Sequence, residues 1–150
     1  MVTRYLTAAV AATALGPAPS GPPADAATFR ATSASAGTLA PAVAAGTYAY
    51  GVAIPENPGY PMVVDGTLSA HDRRCHAVFL TERSEDAAPR WAAVVRRCGG
   101  GATPFRATAT IGWGGANTPA LRVCSAPRAV DLRAGGAGCG RPDVLTRPRP

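Results

Sequence analysis

The stretch "CHAVFLTERSEDAAPRWAAVVRRC", residues 75–98, decides the fold. Two runs rich in β-branched and aromatic residues flank a polar, charged segment, the pattern of a β-hairpin. In an antiparallel pair, the numbers of opposed residues sum to a constant. Setting Cys75 opposite Cys98 makes that sum 173 and brings Phe79 against Val94 and Glu82 against Trp91. Apolar residues then face one another, and the charged turn stays outside. Of the three pairings that four cysteines allow, this register favours Cys75–Cys98 across the open end of the hairpin. That leaves Cys124–Cys139 to tie down the glycine-rich segment "GGAGCG". Each loop would contribute roughly 3 kcal/mol through the entropy removed from the unfolded chain.

The pattern continues on both sides. "TYAYGVAI" (47–54) and "YPMVVDGTLSA" (60–70) are separated by "PENPG", a strong turn signal. "FRATATIGW" (105–113) alternates: Phe105, Ala107, Ala109 and Ile111 point one way, Arg106, Thr108 and Thr110 the other. A period of two means one buried face and one wet face. "GGANTP" turns the chain into "ALRVCS" (120–125), and "AVDLRA" (129–134) reads as a last short strand. Proline and glycine interrupt every window of helical length after the N-terminal region. About seven short strands at regular spacing predict an all-β, antiparallel β-sandwich with two disulfides, with a small β-barrel as the alternative.

The flanks read differently. "MVTR" is a basic start, "YLTAAVAATALG" an apolar run of twelve residues, and Ala24-Asp25-Ala26 a small-x-small cleavage triplet. The order is that of a signal peptide over residues 1–26, and the run is too short for a membrane span. Residues 27–45 are small and repetitive, and are expected to form a flexible leader. The sandwich domain is placed at 46–140. The tail 141–150, with three prolines and three arginines, is expected to be disordered. The predicted location is extracellular.

All fifteen basic residues are arginine against nine acids, a net charge of +6. Removing residues 1–26 takes away Arg4 and Asp25 and leaves that charge unchanged. Alanine, glycine, proline and arginine dominate, the composition of a GC-rich genome such as an actinobacterium's. The arginines are scattered, with no basic helix and no run beyond Arg-Arg, which argues against a nucleic-acid partner. Anionic wall polymers, lipid head groups or acidic proteins suit a basic secreted protein better, and a charge that serves solubility alone is favoured over a dedicated anion site.

Catalytic and metal chemistry find little to work with. "HDRRCH" offers His71, Asp72, Cys75 and His76, but a zinc site needs converging ligands and usually a second close pair. No CxxC and no third histidine is present, so no metal and no cofactor is expected. Thiol catalysis needs a free thiolate, which an oxidising compartment removes. Ser69, His71 and Asp72 are too close in sequence for relay geometry. No GxSxG, phosphate-binding or dinucleotide-binding motif occurs. The domain is therefore expected not to be an enzyme. Aromatics offer the other route to function: Trp113, between glycines, and Tyr60, beside "PENPG", are candidate ligand-binding residues. Trp91 and the strand tyrosines Tyr48 and Tyr50 are expected in the core.

"DGTLSA", "RRCGGG", "FRATATI", "LRVCSA" and the closing "CG" resemble a loose group of small secreted four-cysteine actinobacterial proteins of unknown function, over about residues 63–140. That resemblance implies a secreted β-rich domain and no activity. "YPMVVDG" is similar to the reactive-site stretch of the subtilisin-inhibitor family, which would make Met62–Val63 the bait on an exposed loop. That family carries a cysteine directly before the proline, where this chain has Tyr60, and its cysteine spacing differs. The expected function is binding of an extracellular or cell-envelope partner, such as a wall polymer, with serine-protease inhibition as the alternative.

Overall fold

The computed structural model describes residues 25–52, 60–82, 90–111 and 118–147. The residues given to the signal peptide lie almost wholly outside the described part of the chain, as does Trp113.

Eight strands form the described fold: β1 (Ala27–Thr32), β2 (Val43–Tyr50), β3 (Tyr60–Ala70), β4 (Cys75–Glu82), β5 (Arg90–Cys98), β6 (Gly101–Ile111), β7 (Ala120–Ala126) and β8 (Asp143–Val144). They make two antiparallel four-stranded sheets, β1-β2-β3-β6 and β5-β4-β7-β8. The sheets stack as a sandwich and do not close into a barrel.

Alternation sets the core. In the first sheet Phe29, Ala31, Ala44, Tyr48, Met62, Val64, Leu68 and Phe105 point inward, as the strand period requires. Val78, Leu80, Leu121, Val123 and Leu145 meet them from the second sheet. Phe105 is buried and Ala107 and Ala109 pack on the core, as the alternation in "FRATATI" predicts. Pairing places Phe29, Gly46, Gly66 and Phe105 in one row across the first sheet. A side chain at Gly66 would begin 2.7 Å from the Phe29 ring and 2.8 Å from the Phe105 ring. The two rings meet over the glycine, with centroids 6.2 Å apart and planes tilted by 45°.

The hairpin at 75–98 forms, and both disulfides, Cys75–Cys98 and Cys124–Cys139, pair as the register requires. The register of 173 holds only from Cys75 to Val78. A β-bulge between Val78 and Phe79 then slips it by one, so that Phe79 opposes Ala93, Thr81 opposes Trp91 and Glu82 opposes Arg90. The extra residue lets both Val94 and Val95 pack on the main core, while Trp91 packs on the far side of the sheet.

Three sequence expectations are corrected. The supposed leader holds β1, which pairs with β2 along its full length and buries Phe29 and Ala31. Small side chains suffice there because the strand closes an existing sheet instead of building its own core. The supposed disordered tail holds β8 and the fully buried Leu145. "AVDLRA" forms a 3-10 turn at Ala129–Asp131; Leu132 is buried and Ala134 packs against the same cluster.

Candidate functional site

The two sheets are finished differently on their outer faces. Behind the second sheet, Cys75, Ala77, Phe79, Cys124 and Ala126 are covered by Leu132, Ala134 and Cys139 from the segment after β7. The Cys124–Cys139 staple holds that cover down. Arg122 lies 4.9 Å over the Trp91 ring and donates from Nη1 to the Ala134 carbonyl at 2.7 Å.

Nothing among the described residues covers the outer face of the first sheet. Its rows run Thr28–Thr47–Asp65–Arg106, Arg30–Ala45–Thr67–Pro104 and Thr32–Val43–Ser69–Ala102. Small and hydroxyl-bearing side chains therefore make a flat surface. Thr47, Ala49, Gly51, Val63, Asp65 and Arg106 line a hollow of about 280 Å³ in it. Asp65 and Arg106 pair at 3.4 Å, with their side chains 49% and 71% exposed. Such an exposed pair contributes little to stability, and both groups keep capacity for a ligand. The hollow thus combines an apolar floor, a carboxylate acceptor, a guanidinium donor and a hydroxyl.

The structure also assembles a relay that sequence neighbours did not suggest. β4 and β7 pair with His76 opposite Ser125. His76 Nδ1 lies 2.7 Å from Ser125 Oγ, and His76 Nε2 lies 2.9 Å from Asp72 Oδ1. Asp72 also takes the Arg74 main-chain N–H at 2.8 Å and the Arg74 Nε–H at 2.9 Å. Burial by itself would raise the Asp72 pKa. The hydrogen bonds from Arg74, with the Arg74 charge and that of His76 once it is protonated, outweigh it and hold the carboxyl below its ordinary range. Burial lowers the His76 pKa, partly offset by Asp72. An ionised carboxylate can only accept, so the neutral ring carries its proton on Nε2, and Ser125 donates to Nδ1.

These are the residue types of a hydrolase relay, but His76 is fully buried and Ser125 nearly so. Attack needs a substrate carbonyl within about 3 Å of the hydroxyl, and the inward Oγ faces the imidazole. The neighbouring hollow of about 200 Å³ lies on the outer side of β7, where the Ser125 N–H donates to the Gly138 carbonyl. The relay satisfies buried polar groups at the end of the sandwich. His71 stays exposed and outside it.

Beside the relay, "RRCGGG" finds its explanation. Arg97 clamps the turn between β5 and β6, donating to the carbonyls of Gly99, Gly100 and Ala102 and to Thr103 Oγ1. Gly101 has φ of 121°, and a side chain there would strike the Arg97 guanidinium. Only glycine meets both demands.

The remaining sequence candidates are placed as follows. Met62 is fully buried in the middle strand pair of the first sheet, with Val63 on the outer face. Bait on an exposed loop is therefore corrected, since the strand period sends Met62 into the core. Tyr60 is half-buried, and the Arg147 guanidinium lies 4.3 Å over its ring. It is not an open stacking platform. Tyr48 and Tyr50 meet edge to face at 6.0 Å and pack on the core as expected. Among the described residues, no group of three or more potential metal ligands comes together. No helix among them is long and apolar enough to cross a membrane. No protein-family model, curated protein or solved structure matches the chain.

Proposed function

We propose that the chain is a secreted, non-catalytic binding domain whose partner is an extracellular or cell-envelope polymer. The partner lies on the uncovered outer face of the first sheet. The observation that carries this reading is the asymmetry of the two faces. One is sealed by a stapled segment, and the other is a flat, hydroxyl-rich surface with a hollow at Asp65–Arg106. Threonine hydroxyls with a carboxylate and a guanidinium suit the hydroxyls of a glycan, and a net charge of +6 favours an anionic one. Two disulfides are compatible with an oxidising compartment. The anticipated cleavage after Ala26 would also leave β1, which starts at Ala27, intact.

Co-sedimentation with purified bacterial cell walls tests the reading. The full domain is expected to pellet at low salt and to be released as salt rises. Val63→Glu, which fills the hollow from its floor and repels an anionic polymer, is expected to abolish retention without unfolding the domain. No retention at low salt ends this reading.

A further inference from the structure

The last described residues do not pair as an ordinary strand. β8 pairs with β7 over only two residues, Val144 with Ala120 and Asp143 with Leu121. The remaining hold comes from other elements. The Arg30 N–H of β1 donates to Asp143 Oδ2 at 3.0 Å. The Leu145 N–H donates to the Pro119 carbonyl at 2.8 Å. The Tyr50 and Tyr48 hydroxyls donate to the carbonyls of Leu145 and Thr146. Leu145 fills a fully buried seat between the sheets, and Arg147 rests on Tyr60. The chain thus lies in the seam between β1 and β7. It is gripped mainly through its main chain, with one acidic anchor and one aliphatic anchor two residues on.

We propose that this seam is a recognition groove for an extended peptide and that residues 143–147 are its tethered resident. Main-chain recognition plus one or two side-chain pockets is how a sheet edge takes up a foreign strand. Its ligand would be an extended peptide segment with an acidic residue followed, two positions later, by a branched aliphatic one. The position of the second staple supports a detachable segment. Cys139 is fixed to Cys124, so everything before it stays anchored when residues 141–147 leave. Gly140, exposed Arg141 and half-buried Pro142 separate staple from strap. A tether this short sets a local concentration in the millimolar range, so a free peptide competes only once the strap is displaced. The groove shares Tyr48 and Tyr50 with the lining of the outer-face hollow, but the strap is held by their hydroxyls on the inner side while Val63, Asp65 and Arg106 face outward, so each proposal has its own test.

The test uses the full chain and a fluorescein-labelled peptide of residues 141–147. Leu145→Asp should vacate the groove and bind the peptide saturably, at least tenfold more tightly than the unaltered chain does. The same peptide with aspartate in place of its leucine should not bind. Adding Tyr48→Phe and Tyr50→Phe to the Leu145→Asp chain should weaken binding severalfold. A folded Leu145→Asp protein that ignores a hundredfold excess of peptide overturns the proposal. Should that variant fail to fold, hydrogen exchange in the unaltered chain decides. The Leu145 amide should exchange at least a hundredfold faster than that of Leu68, and equal rates would make the strap an integral strand and overturn the groove.

Discussion

His76 and Ser125 face each other across neighbouring strands and share a hydrogen bond of 2.7 Å in a buried site. The bond has the form of a nucleophile and its base, with Asp72 behind, yet both groups are buried, and a structural role is the expected one. A serine-directed fluorophosphonate should leave Ser125 unlabelled in the folded protein, as intact mass would record. Ser125→Ala should instead lower stability by about 1–3 kcal/mol, because His76 Nδ1 loses its donor in a buried place. Urea denaturation measures it. Rapid stoichiometric labelling at Ser125 would reverse the assignment.

The same network makes stability depend on pH. His76 is held neutral below its ordinary pKa, so the unfolded chain takes up its proton first as pH falls. Stability should be fully present above about pH 6.5 and decline below it, until the folded His76 also protonates. Asp72, also lowered, adds a further loss in the carboxylate range. Thermal melts from pH 8 to pH 4 should trace this fall, and His76→Gln should remove its first stage. At the alkaline end, burial, reinforced by Tyr48, pushes the Tyr50 pKa up to about 12. The unfolded chain then ionises first, and stability should fall again above about pH 10.

Gly66 carries a prediction for the core. The Phe29 and Phe105 rings occupy the place a side chain would take. Gly66→Ala should cost about 1–3 kcal/mol through overpacking. Phe105→Ala should cost about 3–5 kcal/mol through the cavity it leaves. Denaturant midpoints distinguish the two, and a neutral Gly66→Ala would show that the rings give way freely.

The hairpin was legible because cysteines mark both of its ends, so register followed from arithmetic. The bulge after Val78 was not, because it answers to where Val94 and Val95 find room in the core. Local composition made residues 27–45 look too poor to fold. What they lacked in size they gained from β2, which supplies the partner for every residue of β1. The relay joins positions 49 residues apart, and only the pairing of β4 with β7 brings them together. No local motif marks it: the register that sets Cys75 against Ala126 also sets His76 against Ser125, and that register is written in the sheet, not in either strand. Met62 misled because a short motif carries no information about which face of a strand it occupies.

The second staple should contribute unequally to fold and strap. Replacing Cys124 and Cys139 together by serine should cost about 3 kcal/mol in the chain-entropy account. It should also loosen the cover over Phe79 and Trp91, seen as increased quenching of tryptophan fluorescence. A variant as stable as the parent would show that the cover holds without its staple.

Whether this doubly stapled frame is secreted, as proposed, is read from the intact mass of the protein recovered from the culture medium. The protein is alkylated with and without prior reduction. The expected chain begins near Ala27, with no alkylation before reduction and four alkylated thiols after it. A full-length chain retained inside the cell with free thiols would overturn both secretion and the staples.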